Sequence, residues 1–401
     1  MAMNIYFYQK NARISSIYEG KIRYQIEAFE DYIAGCNNKD FFVIQDISNN
    51  REKRVLDTGN GKIVFYYKHG TVSYCISRCY NWYIANRSLY KNVLEYVRKN
   101  SVTHIYIRRS GTLDKYFIRF LKYLKKENVR IIYDIPTFPY DGEMIKGSIQ
   151  HKMDVKYRKK LKEYVDLVVT PSLPENTKNI FGIPYLTIPN GIIVDDIKET
   201  KAQAYEDNSI HAIAVSSLRL WHGFERFIEG LGQYYNVLNG SRNIVFHIVG
   251  GDRNNEYYRL YKNLISKYQL EEHVILYGNK YGQELDEIYD KCNIGISSLG
   301  LHRIDIHKST ALKSGEYITR GIPVYSSTLI DIFPKNFKFV GYDQEDENPI
   351  DIRKFIDFYD DIYLDKNYKA IHNEIRNNAR NICDMRKYME PLFQWLNDNE
   401  I

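Results

Sequence analysis

The stretch IVFHIVGGDRNNEYYRLYKNLISKY, residues 244–268, reads in three parts. Residues 244–249 are a short β-branched and aromatic run of strand length. Gly250 and Gly251 follow with the polar residues 252–254, a turn. From 256 to 268, Tyr257, Leu260, Tyr261, Leu264 and Ile265 fall on one stripe at helical spacing. Strand, glycine turn and amphipathic helix in that order make one unit of a parallel sheet wound with helices.

The alternation recurs on both sides of this stretch. Strands are expected near 4–8, 41–46, 62–67, 103–107, 130–134, 166–170 and 185–188. The pattern restarts with 211–215, 273–277, 293–297, 323–326 and 337–340. A helix over 223–235 carries Phe224, Phe227, Ile228, Leu231 and Tyr234 on one face. Residues 192–209, IIVDDIKETKAQAYEDNS, are polar and acidic and read as a linker. The chain is therefore α/β, with two doubly wound lobes facing across a cleft: residues 1–191 and 210–383. Its 401 residues suit two domains, and 44% hydrophobic with 26% charged residues exclude a disordered chain, a collagen or a coiled coil. No apolar run approaches the roughly 18 residues of a spanning helix, and residues 4–8 lack the flanks of a signal peptide. Cys36, Cys75, Cys79, Cys292 and Cys383 are odd in number and scattered, so no disulfide framework or zinc site is expected, and a reducing cytoplasm fits.

The net charge of +6 conceals an asymmetry: residues 1–200 carry 32 Lys+Arg against 21 Asp+Glu, and residues 201–401 carry 24 against 29. A basic first half attracts anionic surfaces, phospholipid, nucleic acid or phosphorylated substrate alike. Residues 151–163, HKMDVKYRKKLKE, hold six of these cations, with Met153, Tyr157 and Leu161 at helical spacing. That pattern suits a membrane surface, with Lys156, Lys159 and Lys160 facing lipid. Although the chain has 37 Tyr, no recognition helix or RNA-binding signature accompanies the charge, so nucleic acid is not expected as a partner.

Ligands of open α/β sheets bind where loops leave the carboxyl ends of strands. In the second lobe those loops are 216–223 (SSLRLWHG), 250–254 (GGDRN) and 298–316 (SLGLHRIDIHKSTALKSGE). The last gathers Arg303, Lys308 and Lys313 ahead of Glu316, which suits a nucleotide diphosphate: cations for phosphate, a carboxylate for a ribose diol. Gly230 and Gly232 lie inside a helix, so their GxG is no dinucleotide fingerprint.

The run Glu316, Tyr317, Ile318, Thr319, Arg320, Gly321, Ile322, Pro323, Val324 resembles the E-x4-G-x-P-V segment of family-four glycosyltransferases of the GT-B fold. Pro189, Asn190 and Gly191 resemble the element closing their first lobe, Trp221, His222 and Gly223 their W-K/H-G turn, and Gly250 with Gly251 their post-strand glycine pair. The resemblance implies two Rossmann-like lobes, a nucleotide diphosphate sugar as co-substrate, and a tail helix near 384–401 returning to the first lobe. It implies that Glu316 binds the donor ribose, that Gly250 and Gly251 admit the nucleotide, and that amides of Thr310, Ala311 and Leu312 meet the diphosphate or sugar.

Departures from the family pattern shape the rest. Lys308 stands where a second glutamate is usual, and Ser217 and His222 fall where the usual Arg and Lys stand. Arg219, Arg303 or Lys313 are expected to supply the missing positive charge, Lys313 and Arg303 as the catalytic pair and His222 as a phosphate contact. Trp221 is expected in the core. In the first lobe, Arg108 and Arg109 after one strand, and Asp134, Tyr140 and Asp141 after another, are expected to face the acceptor, Asp134 or Asp141 orienting its hydroxyl. The whole implies a hexosyltransferase-type enzyme, UDP-sugar favoured and configuration retained, without bound cofactor or catalytic metal. Its acceptor would be a glycan or lipid-linked saccharide of cell-surface polysaccharide or glycoconjugate synthesis, met at the inner membrane face. A non-catalytic GT-B subunit that binds glycan or partners a true transferase in a complex is the competing reading.

Overall fold

The computed structural model describes residues 3–9, 16–36, 39–48, 52–109, 111, 113–141, 144–173, 177–201, 209–309 and 311–399. It divides into two units, Met1–Pro189 with Arg386–Ile401, and Asn190–Met385.

The first unit contains β1 (Met3–Gln9), β2 (Lys39–Val43), β3 (Gln45–Asp46), β4 (Lys53–Asp57), β5 (Lys62–Tyr66), β6 (His104–Arg108), β7 (Arg130–Asp134), β8 (Leu167–Thr170) and β9 (Tyr185–Thr187). Its helices are α1 (Ser16–Ala34), α2 (Thr71–Tyr80), α3 (Asn86–Lys99), α4 (Lys115–Lys126) and α5 (Ile149–Arg158). Six strands form a parallel sheet in the order β2-β1-β6-β7-β8-β9. Every residue of β6 is buried, because helices cover both faces of a parallel sheet. Residues 62–67, expected in that sheet, instead belong to a separate antiparallel sheet, β3-β4-β5. Alternating burial along β4 and β5 marks strands covered on one face only.

The second unit contains β10 (Ile210–Val215), β11 (Ile244–Val249), β12 (Val274–Gly278), β13 (Ile294–Ile296), β14 (Lys308–Ser309), β15 (Val324–Ser326), β16 (Leu329–Ile330) and β17 (Val340–Tyr342). Its helices are α6 (Phe224–Asn236), α7 (Glu256–Tyr268), α8 (Gly282–Tyr289), α9 (Leu312–Arg320), α10 (Ile352–Tyr363) and α11 (Tyr368–Ile382). The sheet order is β12-β11-β10-β13-β15-β17, all parallel. Strand order therefore reverses between β10 and β13, which opens a crevice at their carboxyl ends. Gly230 and Gly232 are packing glycines of α6: a Cβ would stand 2.3 Å from the Ile350 carbonyl oxygen and 2.6 Å from the Tyr268 ring, respectively.

The expected linker is not free chain over its first part. Ile192, Ile193, Val194, Ile197 and Thr200 are buried, and Ile192 exchanges backbone hydrogen bonds with Cys383 and Met385; apolar side chains among the acids hold it to the second unit. Residues 202–208 of that linker lie outside the described residues. The last helix, α12 (Met385–Asp398), packs in the first unit. There Phe393 stacks on Tyr32 at 4.2 Å, Asn397 accepts from the Tyr32 hydroxyl at 2.6 Å, and Arg386 pairs with Asp31 at 2.6 Å.

Candidate active site

The carboxyl ends of β10, β11 and β13 feed three loops that the second unit holds together by packing rather than by chance proximity. Gly250, at φ 124, lies so close to the first loop that a Cβ would stand 1.6 Å from the Ser216 carbonyl oxygen. Gly223, at φ 64, would drive one to 2.7 Å from the Leu299 carbonyl carbon. These glycines are required first by the chain's own close approach.

Helix α9 follows the third loop and is fixed by its second turn. The Tyr317 hydroxyl accepts from the Val215 amide at 3.1 Å and donates to the Ile296 carbonyl at 3.3 Å, tying the helix to β10 and β13. Ser314 and Ser297 bond through their hydroxyls at 2.8 Å. At its start, Ala311 is extended and provides no side-chain cap. The first amides of α9, at Leu312 and Lys313, stand at the positive end of the helix dipole. Thr310 lies outside the described residues.

Lys313 is the distinctive residue of this site. Its Nζ is buried, finds no hydrogen-bond partner among the described residues, and lies 5.1 Å from the centre of the Phe224 ring. Burial pushes its pKa down to about 7. A buried amine without a partner is costly, and an anion at the helix N-terminus would relieve that cost. Glu316, one turn further on, is half-buried.

His222 faces the same place but does not supply charge. Its Nδ1 accepts from the Arg219 amide at 3.0 Å, and its ring stacks on Phe224 at 5.5 Å. Burial, then the charges of Lys313 and Arg219, hold its pKa well below the ordinary value. It is therefore neutral at physiological pH, and its remaining ring N–H is a donor.

Arg303 is corrected more strongly. Its guanidinium pairs with Glu225, bonds Glu347 through Nε at 2.9 Å and Nη2 at 2.6 Å, and donates to the Leu220 carbonyl at 2.9 Å. With its donors so committed, it acts as a clamp between loops, not as a cation for a leaving group. A second clamp, Arg226, is buried in α6 and reaches the Leu299 carbonyl at 2.5 Å, the Asn348 carbonyl at 2.7 Å and Asp346 at 2.8 Å. Sequence reasoning passed over Arg226, although an arginine between Phe224 and Phe227 in a core-facing helix was a visible signal.

The other expected residues of this unit lie outward. Ser217, Arg219 and Lys308 are exposed, and Arg219 makes no ion pair among the described residues. Trp221 is 37% exposed, not a core residue, because its short helical turn stands outside the sheet. Lys308 lies on β14 beside Leu329 of β16.

In the first unit, Asp134 and Arg108 are not open to a substrate: both are buried and pair at 2.7 Å, and Arg108 also donates to Gln25 at 3.0 Å. An aspartate so paired is a fixed part of the strand ends rather than a group free to orient an acceptor hydroxyl. Tyr140 is buried and donates to buried Asp154 at 2.9 Å, and the Arg109 guanidinium lies 3.6 Å above its ring. Asp141 is partly exposed and pairs with Arg158 at 2.9 Å. Lys156, Lys159 and Lys160 are exposed, but the apolar side expected beside them is spent inward: Leu161 is fully buried and Tyr157 packs on the unit's core. No cluster of three or more His, Cys, Asp or Glu among the described residues is placed to hold a metal, and no described helix is long and apolar enough to cross a membrane.

Residues 195–338 match the family model described as glycosyl transferases group 1. No curated protein sequence matches the chain. Among solved structures, a glycosyltransferase from Rickettsia africae ESF-5 is similar with a TM-score of 0.63 and 13% identity, covering 100% of this chain and 99% of that one. Sucrose-phosphate synthase from Thermosynechococcus elongatus follows with 0.57 and 14%, covering 100% of both. HepE of Anabaena, solved with UDP and glucose, gives 0.58 and 11%, covering 99% of this chain and 100% of that one. At such identities these structures speak for the fold, and the family match for the domain that carries the described site. Residues 195–338 thus match the group 1 glycosyl transferase model, and the whole chain shares the two-lobed GT-B fold of the solved glycosyltransferases it resembles.

Proposed function

We propose that the protein moves a hexosyl group from a UDP-sugar to a glycan or lipid-linked saccharide, as a family-four type of enzyme that retains anomeric configuration. The observation that carries this reading is the buried Nζ of Lys313, without a hydrogen-bond partner among the described residues, at the start of α9, where Ala311 provides no side-chain cap. A diphosphate there meets helix amides and one ammonium, while Glu316 accepts from the ribose hydroxyls. Catalysis is then electrostatic and positional: the cation and amides stabilise the departing diphosphate, and the acceptor hydroxyl attacks from the same face. The HepE structure bound to UDP and glucose supports UDP as the nucleotide. No resident metal enters this scheme. Synthesis of cell-surface polysaccharide or glycoconjugate at the inner face of the membrane, with Lys156, Lys159 and Lys160 toward anionic lipid, is the setting consistent with the basic first half.

One observation favours a second reading, a non-catalytic subunit of a transferase complex. Arg303 is spent on carboxylates and His222 is neutral, which leaves Lys313 with little cationic help. A thermal-shift panel of nucleotide sugars separates the outcomes at the first step. A donor present at about 100 times its dissociation constant stabilises by about 2.7 kcal/mol; a protein indifferent to every nucleotide sugar is not a transferase of this kind.

A further inference from the structure

Between β5 and β6 the chain builds one long helical run: α2, a π-helical turn at Asn81–Ala85, and α3. Its two halves differ. In α3, Leu89, Val93 and Val97 are wholly buried in the first unit's core. Along α2 and the π-helical turn the outward stripe is apolar: Val72, Ile76 and Cys79 of α2 and Tyr83 of the turn recur at helical spacing and all are exposed, Val72 at 74% and Ile76 at 65%. Soluble surfaces scatter single apolar residues; a stripe of four on one overhanging helix marks a contact.

The overhang is held firmly. Asn81 pairs with both backbone groups of Tyr66 at the end of β5, at 3.0 and 2.9 Å, as a neighbouring strand would. The Trp82 indole donates to Asp114 at 2.9 Å, the same carboxylate that caps α4. The π-helical turn thus sits where the helix passes from packed to exposed, a place such turns often mark function.

Charge identifies the occupant. Residues 58–94 contain five cations, Lys62, Lys68, Arg78, Arg87 and Lys91, and no Asp or Glu. Lys68, Arg78 and Arg87 are exposed, and α4, joined to the overhang through Asp114, exposes Lys115, Arg119 and Lys122. A partner protein of ordinary composition needs no such one-sided charge; an anionic lipid surface does, with aromatic and aliphatic side chains entering the headgroup region and cations lying above it.

We propose that the exposed face of α2 and its π-helical turn is a docking surface for an anionic membrane, inserting Val72, Ile76 and Tyr83 among the headgroups. The proposal deepens the lipid-linked acceptor reading but is carried by the first unit alone, so its test omits donor and acceptor. The full chain is floated with vesicles of phosphatidylcholine, and of phosphatidylcholine mixed with phosphatidylglycerol. Binding is expected to the mixed vesicles only and to fall with salt. The triple change Val72→Ser, Ile76→Ser, Tyr83→Ser should abolish it, and Lys68→Glu with Arg78→Glu should weaken it about ten-fold or more. Nucleotide-sugar stabilisation serves as the control for folding and must persist in both variants; its failure in the parent chain would tell against the transferase reading and not against this surface. Equal binding to neutral vesicles, loss of binding on reversing Lys156, Lys159 and Lys160 but not on changing α2, or a dimer in solution that the triple change dissociates, would each overturn the proposal.

Discussion

Replacing Lys313 by methionine should stabilise the protein and weaken its hold on the donor, and the two effects have one cause. Burial moves the Lys313 pKa from an ordinary 10.5 to about 7. At about 1.4 kcal/mol per unit, keeping this amine charged in the folded protein costs on the order of 5 kcal/mol before local relaxation. The unfolded chain holds the proton up to near its ordinary pKa, whereas the folded chain releases it near 7. Between those values the unfolded state binds more protons, so stability rises with pH across the window, and the penalty is fully present below pH 7. Methionine fills a similar volume without charge. We expect Lys313→Met to gain about 2 to 3 kcal/mol at pH 6, or about 4 to 12 °C in Tm, with the gain shrinking toward pH 9. UDP affinity should fall by about 10²-fold. Differential scanning fluorimetry at pH 6, 7.5 and 9, with calorimetric titration of UDP, reads both. A diphosphate should also recharge the lysine, so the parent protein should take up close to one proton on binding UDP at pH 8. A lowered Tm at pH 6, or UDP binding equal to the parent with no proton uptake, would refute the assignment of this amine to the anion site.

Glu316→Ala should weaken nucleotide binding about 10- to 100-fold in a folded protein, since charge-assisted hydrogen bonds contribute about 1.5 to 3 kcal/mol; titration with UDP measures it. Arg303→Ala should act on stability rather than first on chemistry: it takes the arginine from largely buried Glu225, while exposed Glu347 keeps its bond to His302, and a loss of about 2 kcal/mol in urea unfolding is expected, with Arg303→Lys recovering only part because one ammonium cannot reproduce the fork. His247 is bonded to His211 at 3.0 Å and to Tyr277 at 2.9 Å, and burial, then His211, pushes its pKa down to about 3. The unfolded chain protonates this histidine below about 6.5 while the folded chain does not, so stability is lost as pH falls from there toward 3. Tm should drop between pH 7 and 5, and His247→Gln should flatten that drop.

Regular, locally determined features were legible in the sequence and long-range commitments were not. β11 and α7 fall at the bounds that periodicity indicates, because a strand buried on both faces and an amphipathic helix advertise themselves over a single window. Residues 62–67 read equally well as a strand, yet which sheet they join depends on pairing with residues 53–57, a strand that was not anticipated. Charge was misread for the same reason. Arg303 and Lys313 look alike as cations in one loop, but Glu225, 78 residues away, claims the first, while the second is enclosed beside Phe224. Asp134 carries the signature of a polar residue after a strand, and only the fold reveals that Arg108, on the neighbouring strand, occupies it. A spacing pattern finds the loops of such a site; it does not say which charge is already paired.

The most direct test of glycosyl transfer from a UDP-sugar is donor hydrolysis without acceptor. Purified protein is incubated with UDP-glucose and related nucleotide sugars, and released UDP is followed by chromatography. A saturable release of UDP from one donor is expected, reduced about 10²-fold or more in Lys313→Met while the fold is retained. A folded protein that binds none of these donors and releases no UDP from any of them would contradict the account and leave the non-catalytic subunit in its place.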